Sequence, residues 1–352
     1  MINSLSKKKV LLGLSGGVDS ATAALLLKEK GFEVVGYYFD VTGKNLQGKS
    51  FAEEIAGQLG IDLITEDASE SFNDIVVKNF CDEYLHGRTP NPCIVCNPNI
   101  KFKSMLDQAD KIGAYYIATG HYCRVEFDEN SKNHYIKRAS NVGKDQSYML
   151  YRLGQNFTKR IIFPLGEYES KEEIRTLARD NSLKNADAKD SQEICFVDPE
   201  TGYAKYIEAL GFSTKEGDYV DKNGKILGRH KGILNYTIGQ RKGLGIALGK
   251  PAFVTKIDWE KNQITLGDEE DLFTTKVISK NNFFQGETDA FIGRTIAAKV
   301  RYTTIPSPAK FEISGDKIIT TFETPQRAPT PGQSIVFYHP ETNWVIGGGI
   351  IE

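Results

Sequence analysis

Apolar residues follow two rhythms along this chain. Up to about residue 183, short β-branched runs at 10–14, 34–39, 63–65 and 116–119 alternate with segments of helical period, 21–30 and 49–59 among them. Unbroken apolar runs of this length suit strands covered on both faces, and a helix between successive strands returns the chain for parallel pairing. Gly31 and Gly60 each stand just past a helical segment and just before a strand, where a left-handed helix end is easiest for glycine. From about residue 210 the elements shorten. Gly217-Asp218-Tyr219-Val220 is followed by Asp221-Lys222-Asn223-Gly224-Lys225-Ile226-Leu227, whose Asn-Gly pair predicts a hairpin. Beyond residue 277, alternating runs at 295–300, 309–313, 317–322 and 334–338 are separated by Gly- and Pro-containing turns, the pattern of a small closed β domain. The expected fold class is therefore α/β, a doubly wound parallel-sheet catalytic domain over 1–209. A small central β-rich domain over 210–276 and a C-terminal β-barrel over 277–352 follow it.

Composition narrows the functional classes. A length of 352 residues suits two or three domains, and 40% hydrophobic with 26% charged residues is the balance of an ordinary globular protein. No apolar stretch nears the roughly 18 residues of a membrane span. The apolar run after Lys7-Lys8-Lys9 stops at Gly13, too short for a signal sequence. These features predict a cytoplasmic protein with no membrane partner. With 44 Lys and Arg against 46 Asp and Glu, the chain is no generic polycation, so any nucleic acid must be held by shape and a local basic face. Five cysteines, at 81, 93, 96, 123 and 195, are an odd number without an export signal, which favours metal or thiol chemistry over a disulfide framework.

The most specific local signal is the run Val10-Leu11-Leu12 into Gly13-Leu14-Ser15-Gly16-Gly17-Val18-Asp19-Ser20, a strand passing through a glycine turn into a helix expected from Ala21. Gly16 and Gly17 let the backbone approach phosphate oxygens, Ser15 and Ser20 add hydroxyls, and free N–H groups at a helix start attract an anion. The lysine of the GxxxxGK[ST] loop is missing, so this is not the loop of kinases and GTPases. A plainer alternative is a glycine turn with Asp19 or Ser20 as helix N-cap.

Gly87-Arg88-Thr89-Pro90-Asn91-Pro92-Cys93-Ile94-Val95-Cys96-Asn97 sets two thiols three apart in a proline-stiffened loop before a helix expected at 101–110. That spacing serves a redox pair, half a zinc site or part of an iron–sulfur site. Cys195, in Asp190-Ser191-Gln192-Glu193-Ile194-Cys195-Phe196, is a lone thiol whose plain reading is a buried small hydrophobe, as for Cys81 and Cys123. Lys101, Lys103, Lys111, Arg124, Lys137, Arg138 and Lys144, interleaved with Tyr115, Tyr116, Tyr122 and Tyr148, suit RNA with a flipped base, or simply a solvated face.

Ser15-Gly16-Gly17-Val18-Asp19-Ser20 resembles the pyrophosphate loop of N-type ATP pyrophosphatases, which have the adenine nucleotide alpha hydrolase-like fold. The cysteine loop, Thr119-Gly120-His121-Tyr122, Lys144-Asp145-Gln146-Ser147-Tyr148, residues 190–196, and Tyr236-Thr237-Ile238-Gly239-Gln240-Arg241-Lys242-Gly243-Leu244-Gly245 narrow the resemblance to the tRNA-specific 2-thiouridylase family, in order over nearly the whole chain. The resemblance implies a tRNA-uridine 2-sulfurtransferase that adenylates and thiolates carbon 2 of the wobble uridine in tRNAs for Glu, Gln and Lys, using ATP and Mg²⁺ and releasing AMP and pyrophosphate.

By position it implies ATP contacts at Gly13 to Ser20, Phe39 and Gly120, with Asp19 needed for turnover, and a target base among Asn91, Pro92 and Cys93. His121, Lys144, Asp145, Gln146, Arg301, Tyr302 and Gln333 would meet the tRNA. Cys195 would carry a persulfide from a sulfur donor such as a cysteine desulfurase or a persulfide relay protein, and Cys96 would be the second catalytic cysteine, able to form a disulfide bond with it. Many family members carry Asp where this chain has Cys93. That departure opens a second route, in which Cys93, Cys96 and Cys195 ligate a 4Fe-4S cluster whose open iron takes free sulfide. Two readings from other classes stand beside these: an amidating synthetase on the same ATP fold, and a non-catalytic zinc-stabilised RNA-binding module. The first needs an ammonia source and leaves the cysteines unexplained; the phosphate loop argues against the second.

Overall fold

The computed structural model describes residues 8–43, 45–187 and 194–352. Its first sheet is built from β1 (Lys9–Gly13), β2 (Glu33–Asp40), β3 (Asp62–Asp67), β4 (Tyr116–Thr119) and β7 (Ile161–Ile162), all parallel, in the order β3-β2-β1-β4-β7. Between β4 and β7 lies an antiparallel pair, β5 (Cys123–Phe127) and β6 (His134–Arg138), absent from the alternation visible in sequence. The centre of the sheet is fully buried, and its alternate residues feed two cores. Val10 and Leu12 face the helices α1 (Val18–Glu29), α2 (Leu46–Leu59) and Lys171–Asp180, while Leu11 faces the helix Phe102–Lys111. This is the doubly wound arrangement that the apolar runs predict.

Both glycine helix ends are observed, with φ of +79° at Gly31 and +61° at Gly60. The helix starts differ from expectation. α1 begins at Val18 because extended Gly17 turns straight into it without a side-chain cap. Asp19 and Ser20 therefore lie inside the first turn, and neither is the N-cap. α2 begins at Leu46 because Asn45 caps it, accepting from Gly48 N–H at 2.8 Å.

The central sheet contains β8 (Gly217–Val220), β9 (Ile226–His230), β10 (Phe253–Asp258) and β11 (Gln263–Gly267), in the order β10-β11-β8-β9. The Asn223-Gly224 turn closes the β8–β9 hairpin, with Asp221 N–H donating to Lys225 O at 2.9 Å. The last six strands are β12 (Phe273–Phe284), β13 (Ile296–Lys299), β14 (Ser307–Ser314), β15 (Lys317–Arg327), β16 (Ser334–Tyr338) and β17 (Val345–Ile351). They close into a barrel in the order β12-β15-β14-β13-β16-β17, which leaves no sheet edge unpaired. Among the described residues no helix is long and apolar enough to cross a membrane.

The barrel docks on the Leu11 face of the first sheet, where Val336, Tyr338 and Val345 join that core. Polar pairs also cross the seam: Tyr148 OH donates to Ser334 O at 2.7 Å, and the hydroxyls of Ser147 and Tyr338 lie 3.3 Å apart. Gly348 on β17 is tightly packed, since a Cβ there would stand 2.5 Å from Ile335 O of β16 and 2.9 Å from the Tyr151 ring across the seam. Gly348→Ala should therefore destabilise the protein by about 1–3 kcal/mol, read as a lower midpoint in urea or heat.

Candidate active site

The phosphate loop leaves β1 at Gly13 and is held open by its own hydroxyls. Ser15 N–H donates to Ser20 Oγ at 3.2 Å, and Ser20 Oγ donates to Gly17 O at 3.0 Å. Gly16 has φ +78°, and a Cβ on it would come 2.6 Å from Cβ of Phe51 on α2. A cradle this tight fits phosphate oxygens received by backbone N–H groups at the start of α1. Gly120, after β4, lies against the same loop, where a Cβ would be 2.9 Å from the Asp19 carbonyl carbon and the Ser20 nitrogen.

Asp19 ties the loop to two distant elements. Its Oδ1 accepts from Tyr122 OH at 2.7 Å and from the Lys171 ammonium. Lys171 opens its helix behind a complete capping box, Ser170 with Glu173, and also lies 5.6 Å over the Tyr122 ring. Asn185 adds a further contact, Nδ2 donating to Gly16 O at 2.6 Å, while its buried Oδ1 has no partner among the described residues. The sequence pattern did not single out Lys171 or Asn185. Ser-x-x-Glu signals a helix start at 170–173, but the approach to Asp19 across 152 residues is purely tertiary. Phe39, at the end of β2, is half-buried and stacks on Tyr37 with centroids 6.0 Å apart, so it serves the core and keeps a part uncovered.

The cysteine loop forms a short helix, Pro92–Cys96, capped by Asn91, whose Oδ1 accepts from Cys93 N–H at 3.2 Å. A widened π-helical turn, Asn97–Lys101, follows and accommodates Pro98, which has no N–H to donate. Buried Asn97 anchors it by donating to Met149 O at 3.0 Å. From the barrel, Gln333 Nε2 donates to Thr89 O at 2.8 Å and Pro90 O at 3.3 Å, holding the loop from the far side.

All five cysteines are free thiols. Cys96 is buried, Cys93 half-buried and Cys195 exposed. Dehydration raises all three thiols, Cys96 to about 11, with like-charge repulsion from Cys93 and Cys195 adding to it. Lys101 is the cation that opposes this at each of them, and its charge also reaches His121. The His121 ring is held well below its usual pKa, chiefly by dehydration, and its Nδ1 lies 2.7 Å from Thr119 Oγ1. It is therefore a neutral hydrogen-bonding group. Among the described residues no group of three His, Cys, Asp or Glu side chains is arranged to hold a metal ion. Cys93 and Cys195 both disfavour ionisation of Cys96, and Cys93 disfavours that of Cys195, so the three thiols lie near one another. Residues 190–193 of the Cys195 motif lie outside the described residues.

Several residues expected to face RNA serve the architecture. Asp145 is buried, accepting from Ala139 N–H, Ser147 N–H, Ser147 Oγ and Arg138 Nε, the last at 3.3 Å. Gln146 exchanges hydrogen bonds with the Tyr122 backbone at 2.8 and 2.9 Å, and Lys144 N–H turns back to Asn141 O. The Arg301 guanidinium is engaged by Ala328 O, Thr330 Oγ1 and Ile238 O, stitching the central sheet to the barrel. Tyr302, next to it, stands near enough to Cys93 for the thiol's charge to disfavour ionisation of the phenol. Gln240 closes its own turn by donating to Lys242 O at 3.0 Å, beside a cavity of ≈ 460 Å³ rimmed by Arg241 and Lys250.

Lys101→Met should push the three thiols higher still, because the ammonium favours their ionised forms. Alkylation by iodoacetamide at pH 8, followed by peptide mass spectrometry, should slow at Cys93, Cys96 and Cys195 and stay unchanged at Cys81.

Residues 8–199 match the domain family described as tRNA methyl transferase HUP domain, residues 206–268 the tRNA methyl transferase PRC-barrel domain, and residues 275–351 the aminomethyltransferase beta-barrel domain. The chain is 47% identical, over 98% of its length and 98% of the relative, to the tRNA-specific 2-thiouridylase MnmA 1 of Caldanaerobacter subterraneus subsp. tengcongensis. It is 45% identical to the tRNA-specific 2-thiouridylase MnmA 1 of Clostridium tetani, covering 98% of this chain and 97% of that one. Among solved structures, the NMN synthetase from Francisella tularensis is similar with a TM-score of 0.34 and 18% identity, over 54% of this chain and 72% of that one.

Proposed function

This chain belongs to the tRNA-specific 2-thiouridylase family, and from that premise we propose that it is an ATP-dependent tRNA sulfurtransferase acting on carbon 2 of the wobble uridine in tRNAs for Glu, Gln and Lys. The observation that carries the reading is a short series of neighbours. Asp19 and Ser20 of the phosphate loop touch Gly120, His121 follows Gly120, and Lys101 brings His121 and the three thiols under a single charge. A site for splitting ATP and a site for sulfur thus adjoin.

In this reading the loop N–H groups, Ser15, Ser20 and Lys171 receive the phosphates and hold departing pyrophosphate, while O2 of the uridine takes the α-phosphate. The Asp19 carboxylate together with substrate phosphates is a donor set that suits Mg²⁺, which would neutralise triphosphate charge. Asn91, Pro92 and Cys93 border the base. Sulfur reaches Cys195 as a persulfide from a cysteine desulfurase or a relay protein. The terminal sulfur attacks carbon 2 and AMP leaves with the oxygen. The Cys96 thiolate then attacks Sγ of Cys195, breaking the sulfur–sulfur bond, leaving the thiocarbonyl on the tRNA and a Cys96–Cys195 disulfide that a two-electron thiol reductant resets. High resting pKa values make this order reasonable, because both thiols stay protonated and unreactive until dehydration or charge around them changes. In this reading no step passes through an iron–sulfur cluster.

The test is thiolation of unmodified tRNA-Glu with ATP, Mg²⁺ and a persulfide donor, read by mercury-gel retardation. Cys195→Ser should abolish thiolation and keep ATP binding; near-normal thiolation would remove Cys195 from the chemistry. Activity from free sulfide only after cluster reconstitution would replace the persulfide route. Lys171→Met should weaken ATP binding about tenfold to a hundredfold, the worth of a charge-assisted contact to phosphate, measured by calorimetry.

A further inference from the structure

Lys299 is the last residue of β13 and only 4% exposed, an unusual place for an ammonium. Among the described residues its side chain makes no hydrogen bond or ion pair. Its partners are two aromatic faces, with Nζ 5.7 Å from the ring centroid of Tyr148 and 5.7 Å from that of Tyr302. Those rings stand 6.3 Å apart at 57°. Tyr148 belongs to the first domain and is fixed by its bond to Ser334 O, whereas Tyr302 belongs to the barrel loop after β13. The charge therefore bridges a fixed ring and a loop-borne one. Other groups facing it are Asp145, which attracts the ammonium, and Arg138, which repels it; Tyr338 lies next to both.

The loop that carries Tyr302 has little else to hold it. Arg301 fastens its start to Ala328 O and Thr330 Oγ1, and Thr304 Oγ1 donates to Arg301 O at 2.9 Å. Ile305 then emerges 77% exposed. Tyr302 is the side chain by which this loop reaches the neighbourhood of Cys93.

We propose that Lys299 is a positioning residue for RNA engagement, holding the Tyr302 ring against Tyr148 so that the mouth beside Cys93 presents a preset aromatic face to the substrate base. The proposal rests on the reading that tRNA is the substrate and Tyr302 meets it. A buried lysine without an anionic partner lowers stability, and an apolar side chain of similar volume in its place is commonly neutral or stabilising. Packing therefore does not account for the charge, whereas preordering a platform does.

Dehydration pushes the Lys299 ammonium down to about 8, Arg138 adding to it and Asp145 opposing. The folded pKa lies below the unfolded one, so the unfolded chain binds more protons between about 8 and the ordinary lysine range. Across that window this group's contribution to stability rises with pH, while the charge that pins Tyr302 is lost. Stability and RNA engagement are driven in opposite directions.

The experiment compares the full chain with Lys299→Met and Lys299→Arg. At pH 7, Lys299→Met should unfold no lower than the parent, exchange backbone hydrogens faster over residues 301–306 without RNA, and raise KM for unmodified tRNA about tenfold at unchanged KM for ATP. Lys299→Arg should restore slow exchange and KM. Between pH 7 and 9 the parent's excess protection of 301–306 over Lys299→Met should vanish, which tests the proposal even where the arginine does not fit. Unchanged exchange in Lys299→Met would overturn the proposal. So would a Lys299→Met protein that fails to fold, since the charge would then be structural. If the parent itself does not thiolate tRNA, the functional reading fails, and the exchange measurement still decides the role of Lys299.

Discussion

The Asp19 carboxylate is the point on which the active face depends. A parallel sheet sends every strand-to-helix loop to one end, and in the order β3-β2-β1-β4-β7 the chain leaves β1 and β4 on opposite sides of the crevice between them. Asp19 closes that crevice by joining the β1 loop to Tyr122 after β4 and to Lys171 at the head of a later helix. Gly120 permits the approach, since any side chain there would strike the Asp19–Ser20 backbone. An acid in the first turn of α1 would by itself oppose a bound phosphate. Pairing with Lys171 returns the local balance towards neutrality and puts a cation where phosphate oxygens would lie.

A second set of constraints comes from the barrel. Its contacts with the first domain combine a shared apolar core with polar pairs, Tyr148 with Ser334 O and Gln333 with the carbonyls of Thr89 and Pro90. Each is strongly directional, because a buried donor left unpaired is costly. Gln333 thereby fixes the loop that carries Cys93 and Cys96. Arg301 performs a related task between barrel and central sheet, with its donors spent on carbonyls. The barrel thus holds the loop that leads into the short helix Pro92–Cys96.

The thiols show how burial regulates reactivity. Cys96 at about 11 is a poor nucleophile at neutral pH, and one lysine, Lys101, tempers all three sulfurs. The π-helical turn that accommodates Pro98 sets the spacing from Cys96 to Lys101.

Much of this was determined by the sequence alone, because the relevant physics is local. Buried-strand runs, glycine helix ends at Gly31 and Gly60, the Asn223-Gly224 hairpin and the Ser-Gly-Gly turn each depend on a few adjacent residues, and all appear where the pattern puts them. The helix starts at Val18 and Leu46 slipped by three residues, since an extended glycine and an asparagine cap begin a helix before its apolar period does. Only the tertiary structure decided what depends on long-range approach. Lys171 meeting Asp19 and Gln333 bracing Thr89 are separations that no periodicity encodes. The same holds for Lys299: a lysine on an alternating strand reads as solvent-facing until the barrel closes and two tyrosines from different domains enclose it.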